Sequence, residues 1–554
     1  RILRLGGKGM NRQRRALEEW NLEFTGKNTM EEVKGKGKRG LFRVIFGRTT
    51  FFLLFAFLQI LILFWIYLWL DDQYRTYGYG LFSLVSAILA IRILNEKQNA
   101  SFKMAWLIPV LIFPVFGALF YVFVQLQLET KIMAKRLSDI NARTRSYLKQ
   151  DEGVVKRLEK KSVANANLCR FLYERGGFPT YEKTHFRYFP LGDDFFAELL
   201  PELKKAQRFI FLEYFIIQPG IMWDSILEIL EQKAKEGVEV RLMYDGMNSF
   251  SNLPHDYPRQ LEAKGIKCRI FNPIRPAVST GQNNRDHRKI LVIDGHTAYT
   301  GGVNLADEYI NRKVRFGHWK DNAICIKGEA VRSFTVMFLQ MWSACARYPE
   351  YDFNFDRYLD IGDYFHAPEL NMEGYSVPFS DSPMDGEAVS HQVYLDILYQ
   401  AKKYVYIMTP YLILDDDLMT ALSYAAKRGV DTVIIMPHIP DKKYAFMLAH
   451  SYYIDLIEAG VKIYEYLPGF VHSKTFVSDD EKAVVGSINL DFRSLFLHFE
   501  CGVYIYENPV IAAIRKDFDE TLKQCVRMTT DSVEALPALH RFCGKALRLI
   551  APLM

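Results

Sequence analysis

The sequence predicts an α/β protein: two pseudo-repeated α/β/α domains sharing one active site, preceded by N-terminal transmembrane helices. Three observations predict this. Apolar runs cluster at residues 49–70, 76–94 and 104–128. Beyond them, β-rich runs alternate with amphipathic helical stretches. Two segments then repeat one set of histidine, lysine, aspartate and asparagine in a single register.

The 554 residues are 49% hydrophobic, enough for two or three domains with full cores. A net charge of +6 is too small to imply a nucleic-acid partner, and none is expected. The seven cysteines are odd in number and none stands at CxxC spacing. That excludes a disulfide framework and a zinc knuckle as first readings.

Residues 1–48 form a basic segment with Arg12, Arg14, Arg15, Lys34, Lys36, Lys38, Arg39, Arg43 and Arg48. Thr49–Leu70 carries no charge and only Gln59 interrupts it strongly. About twenty such residues cross a hydrocarbon core. The run 76–94 is shorter, and 104–128 contains Pro109, Pro114 and Gly117. After Leu128 the chain is basic again, with Lys131, Lys135, Arg136, Arg143 and Arg145. Both basic flanks favour the cytoplasmic side, so the number of crossings is even. One of the three runs is then re-entrant or interfacial, and the third is the better candidate. Residues 129–165 read as a basic linker helix along an anionic membrane surface.

Two domains follow, 166–365 and 366–554. In the first, Arg208–Phe215 reads as a strand, then a helix capped by Asp224 ends near Gly237, and Val238–Tyr244 is a buried strand. In the second, Lys403–Met408, a helix capped by Asp415–Asp417 and ended by Gly429, and Val430–Met436 repeat the pattern. Strand–helix–strand units favour a parallel-rich sheet.

The repeat carries its chemistry in two matched sets. The first holds His287, Lys289, Asp294 and Asn304, and the second His472, Lys474, Asp479 and Asn489. On a strand, His at i and Lys at i+2 share one face, about 7 Å apart. Two such halves give two imidazoles, two ammonium groups and two amides around one cavity, an anion site sized for a phosphoryl group. Two histidines suit a two-step displacement: one attacks phosphorus, the other gives and takes the alcohol proton. Lysines and asparagines would hold the equatorial oxygens, and no cofactor or metal is expected. Asp294 and Asp479 end strands and are expected to hold turns rather than touch phosphate. Asp321 and Glu500 stand just before later strands and are expected to orient the histidines. His296, His318, His438, His450 and His498 are read as structural or solvated. Glu213 and Tyr411 are placed near the site.

These residues resemble the phospholipase D superfamily. The strings Ala105–Tyr121, Asn284–Gly295, Gly301–Tyr309, Thr409–Asp431, Gly486–Ser494 and Ala546–Met554 narrow the likeness to bacterial cardiolipin synthases. The resemblance covers the chain from about Arg43 on. It implies two phospholipase D-type domains, and conversion of two phosphatidylglycerol molecules to cardiolipin and glycerol through a covalent phosphatidyl-histidine. It implies a multi-pass protein of the bacterial plasma membrane with its catalytic domains on the cytoplasmic side. Its partners would be phosphatidylglycerol and membrane lipid. Ser487 matches the family's small residue after glycine, and Gly302 takes that place in the first half. His498 departs from the asparagine expected there. Either His287 or His472 can be the nucleophile. Competing readings are a hydrolase, transfer to another alcohol, a nuclease, and a non-catalytic membrane scaffold, which intact His and Lys pairs disfavour.

Overall fold

Runs of β-branched and aromatic residues become buried strands in two sheets of matching order. The computed structural model describes Phe57, Leu61, Phe64 and residues 72–125, 128–273, 283–346, 354–360 and 372–553. The basic segment 1–48, most of run 49–70 and the boundary at 365/366 lie outside these residues. The first sheet comprises β1 (Thr184–Phe189), β2 (Phe209–Tyr214), β3 (Glu239–Asp245), β4 (Lys267–Phe271), β5 (Lys289–Ile293) and β6 (Thr297–Gly301). After a short β7 (His318–Lys320) it is completed by β8 (Ala323–Gly328), in the order β1-β8-β6-β5-β2-β3-β4.

The second sheet uses β9 (Tyr375–Asp381), β10 (Tyr404–Met408), β11 (Asp431–Pro437) and β12 (Lys462–Tyr466). After β13 (Gly469–Val471) come β14 (Thr475–Ser478), β15 (Lys482–Gly486), β16 (Glu500–Tyr506) and β17 (Cys525–Arg527). Its order from the far edge is β9-β16-β15-β14-β10-β11-β12, the first order repeated, with β17 added at the end. Among the described residues, three strands in each half's sheet run parallel to their neighbours (β2-β3-β4, β10-β11-β12). The motif strands β5 and β14 pair antiparallel with β2 and β10. The parallel-rich expectation therefore holds for one side of each sheet only.

Every residue of β2 and β10 is buried, which suits central strands covered on both faces. Asp415 caps the helix Asp416–Lys427 by accepting from the Leu418 amide. The equivalent helix, Ile221–Lys235, differs from expectation: Asp224 lies in its first turn, and Gly220 is the cap position. Its free amides at Ile221 and Met222 are instead taken by the Asp307 carboxylate. The helix Val331–Ala344 is buried along nearly its whole length and packs on β2, β5 and β9, joining the two halves. Strands β15 and β16 also pack on β6.

The basic linker is docked in both halves, and Leu148, Val154 and Leu158 are buried in the second. The helix Leu128–Thr144 buries Leu137 and Ile140 against Val331–Ala344, and Arg136 donates to the Ala344 and Ala346 carbonyls (2.9 and 2.8 Å). Its apolar stripe explains why it packs rather than lies free on a surface. The proposed boundary at 165/166 falls inside the helix Val163–Phe171.

The described residues divide into two units: residues 72–96 and 106–125 belong to an apolar unit, and residues 97–105 with those from 128 on form the sheet-containing body. Within the apolar unit, Thr76–Asn95 is long and apolar enough to cross a membrane, the only such span among the described residues. Run 104–128 is not one helix. Trp106 packs against Phe120 and Tyr121 (ring centroids 5.5 and 5.6 Å), so Ala100–Ile112 and Pro114–Gln125 fold back as a hairpin. A Cβ on Gly117 would lie 2.1 Å from the Pro109 carbonyl, so glycine permits this approach. Arms of 13 and 12 residues span about 18–20 Å, short of the ~30 Å hydrocarbon thickness.

Candidate active site

The two motif histidines are held by the opposite halves. The His287 amide donates to the Phe499 carbonyl (2.9 Å), and the His472 amide to the Lys320 carbonyl (2.7 Å). Each acceptor immediately precedes an acidic residue: Glu500 and Asp321. Each histidine then turns Nδ1 to that carboxylate. His287 Nδ1 lies 2.8 and 3.0 Å from the Glu500 oxygens, and His472 Nδ1 lies 2.7 Å from Asp321 Oδ2. The first-half histidine thus pairs with the second-half carboxylate and the reverse. Strands β7 and β13, which among the described residues pair only with each other, set one crossing, and the Asp286–Phe499 bridge sets the other. A pseudo-twofold relates the two arrangements.

Nδ1 is occupied in both rings, which leaves Nε2 as the nitrogen available for chemistry. The residue after each second-turn glycine supports the carboxylate differently. The Ser487 hydroxyl donates to Glu500. At Gly302 a Cβ would lie 2.0 Å from Asp321 Oδ1, so only glycine leaves room for that carboxylate. Lys289 and Lys474 are buried beside their histidines and donate to the backbone carbonyls of His287 and His472. Lys474 Nζ also lies 2.8 Å from His472 Nδ1.

Burial dominates the electrostatics. It pushes His472 down to about 4, aided by Lys474 and opposed by Asp321. It holds His287 well below its ordinary value, with Lys289 and His498 adding to the effect. Lys289 is pushed down to about 8 and Lys474 to about 7, again chiefly by burial. The carboxylates differ. Burial pushes Glu500 up to about 8 against the pull of Lys289. Burial also acts to raise Asp321, but His472 and Lys474 outweigh it and hold the group below its usual value. At neutral pH the site presents two neutral imidazoles between two ammonium groups at or near their titration range.

The asparagines are less available than expected. Asn304 accepts from the Ile216 amide (3.0 Å) and donates to the Tyr309 hydroxyl (2.8 Å), and the Tyr309 ring packs 5.4 Å from His472. Asn304 therefore builds a wall of the site. Asn489 is buried with its Oδ1 unpaired. Asp294 and Asp479 stand at the far ends of β5 and β14, roughly 20 Å from the histidines by strand rise. Both adopt left-handed backbone (φ 53° and 57°). Asp294 accepts from the amides of Gln207, Arg208 and Phe209, and Asp479 from those of Lys402, Lys403 and Tyr404. They pin the start of β2 and β10, and so are outside the catalytic group in which the motif places them. Glu213 pairs with buried Arg288 beneath the site (2.5 Å). Tyr411 donates to Asp441 (2.6 Å), with Lys442 over its ring.

His498 is the residue that sequence reasoning missed. It is half-buried, its ring 5.7 Å from that of His287 and its Nδ1 3.9 Å from Glu500, and among the described residues neither ring nitrogen has a hydrogen-bond partner. Two residues before Glu500, it corresponds to Trp319, two residues before Asp321, whose ring lies 5.5 Å from His472. The internal repeat was the signal that could have found it. Among the described residues, His287, His498 and Glu500 come close enough together to hold a cation, as do His391, Asp415 and Asp417. The first group is ringed by Arg493, Lys289, Lys442 and Arg285, a setting that repels a divalent ion. In the second, Asp415 is already a helix cap and accepts from Asn99 (2.7 Å).

A repeated α/β sheet with crossed His–carboxylate pairs defines a two-domain protein of the phospholipase D type. The family described as cardiolipin synthase, PLD-like domain, matches residues 199–342 and 394–522, and the phospholipase D-nuclease N-terminal family matches 84–125. A cardiolipin synthase of Geobacillus kaustophilus is 33% identical over 484 residues, 86% of this chain and 94% of the relative. An uncharacterised protein of Streptococcus mutans is 49% identical over 462 residues, 83% and 98% of the two chains. The crystal structure of phosphatidylserine synthase from Haemophilus influenzae shares the fold, with a TM-score of 0.54 at 16% identity over 70% of this chain and 96% of that one. The chain belongs to the cardiolipin synthase family of phospholipase D-like proteins.

Proposed function

We propose that this protein is a cardiolipin synthase that moves a phosphatidyl group from one phosphatidylglycerol to another, releasing glycerol. The carrying observation is the crossed pair His287–Glu500 and His472–Asp321 within a chain of this family. Nε2 of one neutral imidazole attacks phosphorus, and the P–O bond to glycerol breaks as the P–N bond forms. The other imidazole, raised into its doubly protonated form by the negative charge of the bound phosphate, gives its Nε2 proton to the departing oxygen and keeps its Nδ1 proton on the carboxylate. It then takes the proton of an incoming phosphatidylglycerol hydroxyl, whose oxygen displaces the histidine. Lys289 and Lys474 would hold the charge on the non-bridging oxygens. Either histidine fits either role.

The membrane reading is multi-pass, with 49–70 and 76–95 crossing and the short-armed hairpin of residues 100–125 re-entrant. Two crossings would keep both basic flanks, and the catalytic body, on the cytoplasmic side. Accessibility of single introduced cysteines in spheroplasts tests this: labelling of a position in the body from outside would reverse it.

Purified protein in detergent, given phosphatidylglycerol and a chelator, should yield cardiolipin and free glycerol in equal amounts by mass spectrometry. Phosphatidic acid as the main product would make it a hydrolase, and no turnover of phosphatidylglycerol would remove that lipid as the donor.

A further inference from the structure

The last helix, Ala538–Arg548, is anchored on one face and bare on the other. Its inner face is fitted to the helix Lys443–Glu458. A Cβ on Gly544 would lie 2.3 Å from the Met447 carbonyl, so glycine sets the close approach. His540 Nε2 lies 3.0 Å from His450 Nδ1, and Arg548 donates to Asp455 (2.8 Å) with its guanidinium over the Tyr452 ring. The chain then tucks back, and Ala551 is buried. The helix is therefore held in one orientation, which fixes what its outer face presents.

That outer face carries Leu539, Phe542 and Leu549, which are 72%, 70% and 60% exposed, with exposed Ala546 between. These positions fall on one stripe at helical spacing. Ile550 extends it. Arg541 and Lys545 are exposed along one flank. An anchored helix with an apolar stripe and a basic flank is the pattern of a segment lying in a membrane interface. It is also a costly surface to leave in water. The flank's charge selects among occupants. The chain's own segment 1–48 is strongly basic and would be repelled. Pairing the stripe antiparallel with a second copy, about a twofold perpendicular to the helix, would set like basic flanks side by side. A surface of anionic lipid satisfies both the stripe and the flank.

We infer that the outer face of Ala538–Arg548 is a docking surface for an anionic bilayer, seating the catalytic body on the membrane that holds its substrate. The inference rests on the lipid-transfer reading above, but its readout does not use activity. Full-length wild-type protein and Phe542→Trp are reconstituted in nanodiscs of phosphatidylglycerol and phosphatidylcholine, with and without brominated acyl chains. The difference emission between the two proteins isolates the added indole. The expected result is a blue-shifted difference spectrum, quenched at least twofold by brominated lipid. Quenching should fall when Arg541→Glu and Lys545→Glu are added or when the discs contain phosphatidylcholine alone. A water-like emission maximum would overturn the inference. So would a blue shift without bromolipid quenching, which would mean a protein partner. A Leu539→Trp variant read the same way guards against a local folding defect, with circular dichroism confirming the fold of each.

Discussion

Asp321→Asn tests the crossed pairing at atomic level. Asp321 is fully buried, and His472 Nδ1 is 2.7 Å from its Oδ2. Phosphorylating Nε2 puts positive charge on the ring, and the carboxylate stabilises that charge. At about 4 Å and an effective dielectric near 20, the interaction is about 4 kcal/mol. An amide keeps the shape and loses the charge, so the rate should fall about 10³-fold. An amide that turns its NH₂ to Nδ1 would also place the ring proton on Nε2, with the same direction of effect. Glu500→Gln should be milder at pH 7, about tenfold, because burial pushes Glu500 up to about 8 and the carboxyl is already mostly protonated. The assay is the initial rate of cardiolipin formation in micelles, with Tm to confirm folding. Asp321→Asn within tenfold of wild type, with Tm unchanged, would refute the pairing as a source of catalysis.

Other outcomes follow from the same geometry. Gly302→Ala forces a Cβ to within 2.0 Å of Asp321 Oδ1 unless the carboxylate moves, so turnover should fall by about 100-fold, or ~2.7 kcal/mol, while circular dichroism stays native. Asp479→Ala removes three backbone hydrogen bonds to a carboxylate, so Tm should drop with a loss of roughly 2–4 kcal/mol, while kcat of the folded protein changes only a few-fold. Lys474 and Lys289, pushed down to about 7 and 8, lose their charge as pH rises, so kcat/KM should decline from about pH 7 upward rather than near 10. A bound phosphate anion raises both lysines, so the alkaline limb of kcat should lie at higher pH than that of kcat/KM. His498→Leu breaks no hydrogen bond and should leave Tm within a few degrees, yet raise KM for phosphatidylglycerol about tenfold as the site loses two unpaired nitrogens beside His287.

Much of the site was legible because strand periodicity and an exact internal register are sequence properties. His287, Lys289, His472 and Lys474 come together, and Asp321 and Glu500 face the histidines. Asp294 and Asp479 hold turns, as strand-ending aspartates tend to do. What was hidden depends on the relation between the halves. Pairing Glu500 with His287 rather than His472 requires the pseudo-twofold, which no local pattern encodes. Asn304 is committed to Tyr309 and Ile216 by tertiary contacts, and Asp307 caps a helix about 85 residues earlier in the chain. The linker 129–165 looked like a surface helix because its charge is conspicuous, while the apolar residues that dock it, Leu137, Ile140, Leu148, Val154 and Leu158, are spread singly among the charges. The break in the third apolar run is legible at Pro109, Pro114 and Gly117, but the fold-back itself rests on tertiary contacts, Trp106 with Phe120 and Tyr121 and Gly117 with the Pro109 carbonyl.

The central claim is a double displacement through a phosphatidyl-histidine. The protein should be mixed with phosphatidylglycerol, quenched within milliseconds in alkaline detergent, where phosphohistidine survives, and digested for mass spectrometry. A phosphatidyl mass on His287 or His472, absent when that residue is alanine and chased into cardiolipin by further phosphatidylglycerol, is the predicted result. Cardiolipin formed at full rate with no adduct on either histidine, and no exchange of labelled glycerol into phosphatidylglycerol, would contradict it.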